Sequence, residues 1–299
     1  MGKIKSKSHI PSFAIVCICV VFLAGVPVLA ANTGLTEKIM QAFNLLNIEE
    51  QEITEEQKNI YLKYGDILDN EVELGYGTIK LEAAICDKSY ICVPFSFQMA
   101  GNTDSTEDIT NKNSPYQKMQ RETIRFSLAD STKNMDMFTV LPPDIQEDGT
   151  LKGCFLAGVK EEIKKGDKIL VTRQQDWKDT TQEKPVAKFK IGKLAESHNI
   201  PLDKEIAGQN HIEISPLSLR IEGSNNGNAF IKYLPDGFDG IIVKLKDGSV
   251  VQQASTGSWG MKDEDNSYAK ALLFASPVNL DYVEGIYFQN NGEELRLDF

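Results

Sequence analysis

Hydrophobic side chains change their spacing twice along this chain. Phe13 to Ala30 is an apolar run of 18 residues without a charge. Behind it Leu35, Ile39, Ala42, Phe43 and Leu46 recur at helical intervals, which predicts a short helix over residues 36–46. Thr54-Glu55-Glu56-Gln57 has the spacing of a capping box ahead of Ile60, Tyr61 and Tyr64, so a second short helix is expected there, with Gly65 as its left-handed stop. Residues 32–72 thus read as a short helical stem, free-standing or packed on the first β domain. Helices of this length are marginal alone in water, which favours packing.

From Gly75 the period becomes two. Ile79, Leu81, Ala83 and Ile85 share one face, and Ile91, Val93, Phe95 and Phe97 do the same after the polar link Asp87-Lys88-Ser89, the pattern of a half-buried hairpin. Residues 101–118 are almost purely polar and predict a loop. Further strands are expected at 123–128, 135–140, 151–159, 168–173 and 186–191, separated by Pro142-Pro143, Asp148-Gly149 and Lys165-Gly166-Asp167. Alternation lapses over 192–209, read as an interdomain connector, and resumes at His211–Ile214, 217–221, Ile241–Leu245, 249–252, 271–274, 285–288 and 295–299. Asp247-Gly248 marks a tight hairpin turn. The expected fold is mainly β: an N-terminal membrane or signal segment (1–31), the stem (32–72), and two antiparallel β-sandwiches of the immunoglobulin-like kind (73–192 and 208–299).

The apolar run decides the compartment. An 18-residue helix rises about 27 Å, close to the roughly 30 Å hydrocarbon core of a bilayer, and Lys3, Lys5 and Lys7 would hold its start on the cytoplasmic side. Pro27 and the small residues behind it also resemble a signal-peptide end, so the body is expected outside the cytoplasm, either anchored or released by cleavage. Residues 1–30 contain three lysines and no acid, which leaves 29 basic and 43 acidic side chains beyond them, a formal charge of −14. That balance argues against nucleic acid and anionic lipid surfaces as partners.

The run YLKYGDILDNEVELGYGTIKLEAAICDKSYICVPFSF, residues 61–97, resembles the opening of a domain of unknown function found outside the membrane in Gram-positive bacteria, often as the sensor half of anti-sigma factors. VPVLAANTGLTEKIMQAFN is similar to the proline-alanine helix end and short aromatic-bearing helix that follow the span in those proteins. Residues 281–286, DYVEGI, resemble the closing strand of their immunoglobulin-like second domain. The resemblance implies the fold and compartment above and brings no catalytic residue. The anti-sigma members carry a cytoplasmic sigma-binding domain ahead of the span where this chain has twelve residues, so a sensor ectodomain without that domain is expected.

Candidate chemistry is sparse. His198 and His211 are the histidines beyond the apolar run, with no cysteine near either in sequence, too few ligands for a metal site. Thr256-Gly257-Ser258-Trp259-Gly260 only superficially resembles a nucleophile elbow and reads as a turn. Cys154 lies in a strand interior, where a thiol acts as a small hydrophobe. Asp263-Glu264-Asp265-Asn266 lacks the spacing of a calcium loop and reads as a solvated turn. No catalytic residue, metal or cofactor is therefore expected. The one specific pairing comes from parity. If both hairpin strands bury their odd-numbered residues on one face, a three-residue loop, Lys88 to Tyr90, sets Cys86 opposite Cys92, within reach of a disulfide. A pairing shifted by two residues would leave them as free thiols.

The function expected from these features is non-enzymatic binding or sensing at the cell envelope, toward an unknown envelope protein or ligand. A structural or adhesive surface protein and a secreted hydrolase are the alternatives.

Overall fold

The computed structural model describes residues 54–100, 123–129, 136–140, 150–159, 162–174, 185–202, 210–224, 241–251, 253–262, 267–274, 276–290 and 293–299. The apolar run, the first expected helix, the polar loop at 101–118 and the acidic cluster at 263–266 lie outside these residues. Among those described, no helix is long and apolar enough to cross a membrane.

The described part opens on helix α1 (Glu55–Tyr64), and its start is the expected capping box. The Gln57 backbone N–H donates to Thr54 Oγ1 at 3.2 Å while Gln57 Oε1 accepts from the Thr54 N–H at 2.9 Å, which satisfies two otherwise orphaned groups. The other end differs from expectation. Gly65 has φ −77° and ψ 139°, an extended conformation, and the chain passes straight into a strand. Residues 65–72, expected as part of the stem, thus form most of β1 (Gly65–Leu74).

β1 begins a five-stranded antiparallel sheet of order β1-β2-β3-β6-β5, completed by β2 (Gly77–Cys86), β3 (Tyr90–Met99), β5 (Asp136–Val140) and β6 (Leu151–Gly158). A three-stranded sheet of β4 (Thr123–Leu128), β7 (Lys168–Gln174) and β8 (Ala187–Lys190) shares its core. Phe95 stacks on Phe155 at 4.2 Å, and Phe126 stands edge-on to both Phe155 and Phe189 at 5.8 and 5.9 Å. Such edge-to-face packing suits the ring quadrupoles and fills the space between two sheets economically.

The hairpin of β2 and β3 departs from simple parity. Ile79 faces Phe97 and Leu81 faces Phe95, odd with odd, but nearer the turn Ile85 faces Cys92 and Cys86 faces Ile91. β2 therefore carries one extra residue, a bulge between Leu81 and Ile85. The physical reason lies across the ladder. Pro94 sits in β3, a central strand, and a proline has no N–H to give the ladder, so it is tolerated inside a sheet where a bulge interrupts the pairing. The bulge exchanges the faces of the residues behind it. Ala84 and Cys86 join Ile79 and Leu81 in the inter-sheet core, whereas Ala83 and Ile85 turn to the opposite face.

A second pair of sheets completes the described chain. One has the order β14-β15-β11-β10-β9 and contains β9 (His198–Asn199), β10 (His211–Ile214), β11 (Ser218–Ser224), β14 (Gln253–Lys262) and β15 (Ser267–Phe274). The other, β13-β12-β16-β17, contains β12 (Ile241–Leu245), β13 (Val250–Val251), β16 (Val283–Asn290) and β17 (Glu293–Asp298). Ile212, Leu219, Phe274, Val243, Ile286 and Phe288 meet in their common core. Gly248 has φ +87°, as the Asp-Gly turn requires, and the Gly248 N–H donates to the Leu245 carbonyl at 2.9 Å. Residues 256–260, expected as a turn, are instead the middle of β14, paired with β15 through Ser258 to Leu272 and Trp259 to Ala271. Two glycines in a short segment made it look like a break, but the long partner β15 carries it as a strand.

A tight backbone approach in the first pair of sheets is at Gly77. A Cβ there would lie 2.5 Å from the Gln98 carbonyl oxygen and from the Phe97 ring, and a rigid backbone cannot yield as a surface side chain would. Gly77→Ala is therefore expected to destabilise the protein by about 2 kcal/mol. A urea unfolding midpoint indistinguishable from wild type would contradict this packing.

Candidate functional site

The two pairs of sheets are joined through a third core. Ile85, Cys92 and Leu156 on the outer face of the first five-stranded sheet meet Leu217, Ala271 and Leu273 from the second body, and Tyr61 and Tyr64 of α1 pack into the same cluster. The bulge makes this possible, because it turns Ile85 outward at the end of the sheet nearest the hairpin turn. α1 is thus a wedge in a joint. Tyr61 is completely buried there, and burial, with the neighbouring Cys92 and Cys154, pushes its phenol pKa well up.

A polar cluster sits beside this apolar one, built on the turn between β2 and β3. The turn is a two-residue one at Lys88-Ser89: the Asp87 N–H donates to the Tyr90 carbonyl at 3.1 Å, and Asp87 Oδ1 accepts from the backbone N–H groups of Ser89 and Tyr90 at 2.7 and 2.8 Å. This is the aspartate habit of capping its own turn. The other carboxylate oxygen, Oδ2, crosses to the second body. It accepts from Ser215 Oγ at 2.5 Å and from Ser218 Oγ. Ser215 Oγ in turn accepts from the N–H groups of Leu217 and Ser218, so the bend before β11 is shaped by the same hydroxyl that reaches Asp87. Asp87 is 1 % exposed, and four donors converge on its two oxygens. A buried charge needs such saturation, since an unsatisfied carboxylate in a low-dielectric interior costs several kcal/mol.

Charged pairs surround this centre. Lys88 Nζ donates to Glu213 Oε1 at 2.8 Å, and His211 Nε2 lies 3.2 Å from the same oxygen. Arg220 Nη1 donates to Ser89 Oγ at 3.3 Å, while its Nε and Nη2 bind Glu222. Tyr90 Oη reaches the Ala271 carbonyl at 3.1 Å. Asp87, Ser89, Glu213, Ser215, Ser218 and Arg220 are the buried polar and charged residues of the described part, and all six belong to this joint. Burial pushes the Glu213 carboxyl up, but the hydrogen bonds and charges of Lys88 and His211 outweigh it and hold the pKa below its ordinary value. Lys88 is correspondingly raised, first by its hydrogen bond to Glu213.

The segment expected as a connector closes the joint's other side. The Gly192 and Lys193 N–H groups donate to Asp66 Oδ2 at 2.8 and 2.7 Å, Lys193 Nζ donates to the Leu62 carbonyl, and the Ala195 N–H donates to the Cys86 carbonyl at 2.8 Å. His198 and Asn199 then pair with β10. Residues 192–200 are therefore bonded into both bodies. They are not a free hinge, and residues 203–209 lie outside those described.

The predicted Cys86–Cys92 pair is not formed. The two-residue turn and the bulge send the side chains to opposite faces of the sheet: Cys86 Sγ donates to the Lys193 carbonyl at 3.3 Å, and Cys92 Sγ lies 2.9 Å from Cys154 Sγ. Parity misleads here because it presumes one buried face, whereas both faces are buried at this end. His198 and His211 are exposed and serve different neighbours, His198 near the Phe299 ring and His211 against Glu213. No group of three or more potential metal ligands occurs among the described residues. The Asp87 cluster was missed by sequence reasoning. Its signals were an aspartate opening a two-residue turn and the Ser-Pro-Leu-Ser bend at 215–218, but no pattern in the sequence couples segments 128 residues apart.

No family model matches the chain, and neither does a curated protein. Among solved structures, the crystal structure of a conserved domain protein from Bacillus anthracis is similar, at 12% identity, covering 84% of this chain and 86% of that one, with a TM-score of 0.46.

Removing the carboxylate tests the joint directly. Asp87→Ala strands two backbone N–H groups and two serine hydroxyls and is expected to cost roughly 3 kcal/mol of stability. Asp87→Asn should cost less, because Oδ1 keeps both backbone N–H bonds and the Ser218 hydroxyl can turn to accept from the amide, although Ser215 Oγ already accepts from two N–H groups; equal losses in calorimetry would refute the network as drawn. For Glu213, a carboxyl held lower in the folded than in the unfolded state adds stability that is complete above the unfolded pKa, about 4.3, and is lost as pH falls through the folded value. Glu213→Gln should therefore flatten the fall in stability below about pH 4.3, measured as unfolding midpoint against pH.

Proposed function

We propose that this chain is a non-enzymatic binding or sensing protein of the cell envelope. Its body lies outside the cytoplasm, anchored by residues 13–31 or released after cleavage behind them, and its two pairs of sheets are β-sandwiches of the immunoglobulin-like kind. The observation that carries this reading is how the buried polar groups are used. Asp87, Lys88, Glu213, Ser215, Ser218 and Arg220 are each bonded to a partner in the joint, so the most chemically capable cluster of the described residues is committed to holding two bodies in one orientation. A body stiffened in this way presents its loops and edges at constant spacing, which lowers the ordering cost of binding. The acidic balance beyond residue 30 accords with an extracytoplasmic protein whose partner is neither nucleic acid nor an anionic lipid surface.

Topology and activity are both open to measurement. In a Gram-positive host producing the full chain with a C-terminal tag, protease added to intact protoplasts should remove the tag and spare a cytoplasmic marker. A protected tag would place the body inside and overturn the reading. Turnover of envelope polysaccharide or peptide by the purified protein would overturn its non-enzymatic part, whereas cross-linking of the full chain to an envelope component on intact cells is the expected result.

A further inference from the structure

We propose that Cys92 and Cys154 form a disulfide that ties β3 to β6 inside the joint. The two residues lie diagonally across a ladder in which Cys92 faces Leu156 and Cys154 faces Pro94. Their side chains point to the same face and bring the sulfurs to 2.9 Å. Non-bonded carbon atoms rest roughly 3.5–4.0 Å apart and sulfur is larger, so these atoms are already inside ordinary contact and are about 0.9 Å from bonding distance. Both residues are buried, at 1 % and 0 % exposure, between α1 and the second body. Cys86 is excluded from the pairing because its sulfur is on the sheet's other face, donating to the Lys193 carbonyl.

The chemistry is a two-step exchange with an external disulfide, either a small-molecule disulfide such as oxidised glutathione or an oxidoreductase of the same class. The thiolate of one cysteine attacks the reagent's disulfide, forming a mixed disulfide and releasing one reduced thiol. The second cysteine, losing its proton to solvent, then displaces the other reagent sulfur. The two protein thiols are oxidised, one reagent disulfide is reduced to two thiols, and the S–S bond replaces two S–H bonds. Burial sets when this occurs. It pushes the Cys154 thiol pKa well up and leaves no path for a reagent, so the bond closes while β3 and β6 pair during folding and not in the finished protein. Once closed, it links positions 62 residues apart.

In cells the oxidant supply rests on the extracytoplasmic reading above, so the test provides its own. The full chain is unfolded, refolded in a buffer of oxidised and reduced glutathione, quenched with an alkylating reagent and mapped by mass spectrometry. Peptides carrying Cys92 and Cys154 are expected to be joined and lighter by two hydrogens, with Cys86 alkylated. Recovery of Cys92 and Cys154 as alkylated thiols, or of Cys86 joined to either, overturns the proposal. The thermal midpoint of the refolded protein should fall by about 10 °C on adding reductant under denaturing-onset conditions, and Cys86→Ala should keep that fall while Cys154→Ala abolishes it. Because Cys154→Ala also opens a void, the comparison that decides is wild type with and without reductant, and a midpoint indifferent to reductant overturns the tie. A bond formed in this buffer but missing from protein isolated from cells would overturn the export reading and leave the pairing intact.

Discussion

The arrangement of this protein depends on one buried carboxylate. Asp87 stands at the turn between β2 and β3 and against the bend between β10 and β11 of the second body, and its two oxygens divide the labour: one shapes the turn, the other holds Ser215 and Ser218. Neither half is sufficient alone. A capped turn at the surface would leave the bend of the second body without its hydrogen-bonded anchor, and two serine hydroxyls without a carboxylate would bury their donors at a cost. Joined, they convert an expensive buried charge into a device that accepts only one relative placement of the bodies.

The apolar part of the joint has a different origin. Pro94 in a central strand requires a break in the ladder, the break is the bulge in β2, and the bulge turns Ile85 and Ala83 toward α1 and the second body. The same step places Cys86 and Cys92 on opposite faces, while the unbroken β3–β6 register sets Cys92 beside Cys154. α1 then owes its persistence to the surface it covers. Ten residues are too few for a stable isolated helix, and the burial of Tyr61 and Tyr64 supplies what the capping box alone cannot.

Functionally, the joint moves attention away from itself. A cluster of acid, base and hydroxyl groups would ordinarily suggest an active centre, but here each group already has a partner, and Asp87, Ser215 and Ser218 are buried. In the binding role proposed above, such a joint would preserve the spacing of exposed surfaces on two bodies, and the packed segment at 192–200 is bonded to both bodies from the opposite side.

Much of the β architecture was legible in the chain. Thr123–Leu128, His211–Ile214 and Ile241–Leu245 were readable to the residue, as was the capping box of α1, because alternation and capping are local consequences of side-chain direction and backbone valence. Pro94 carried the news of the bulge, though only to a reader who already knew that β3 has neighbours on both sides. The start of β1 at Gly65, the strand through residues 256–260, the tethering of 192–200 and the fate of the cysteines were decided by tertiary structure. Each depends on what covers a second face or lies across a sheet, and a pattern of period two or 3.6 reports that a face is buried without saying by what. Asp87 is the clearest case: its turn could be read from four consecutive residues, whereas its burial required two serines from a segment more than a hundred residues away.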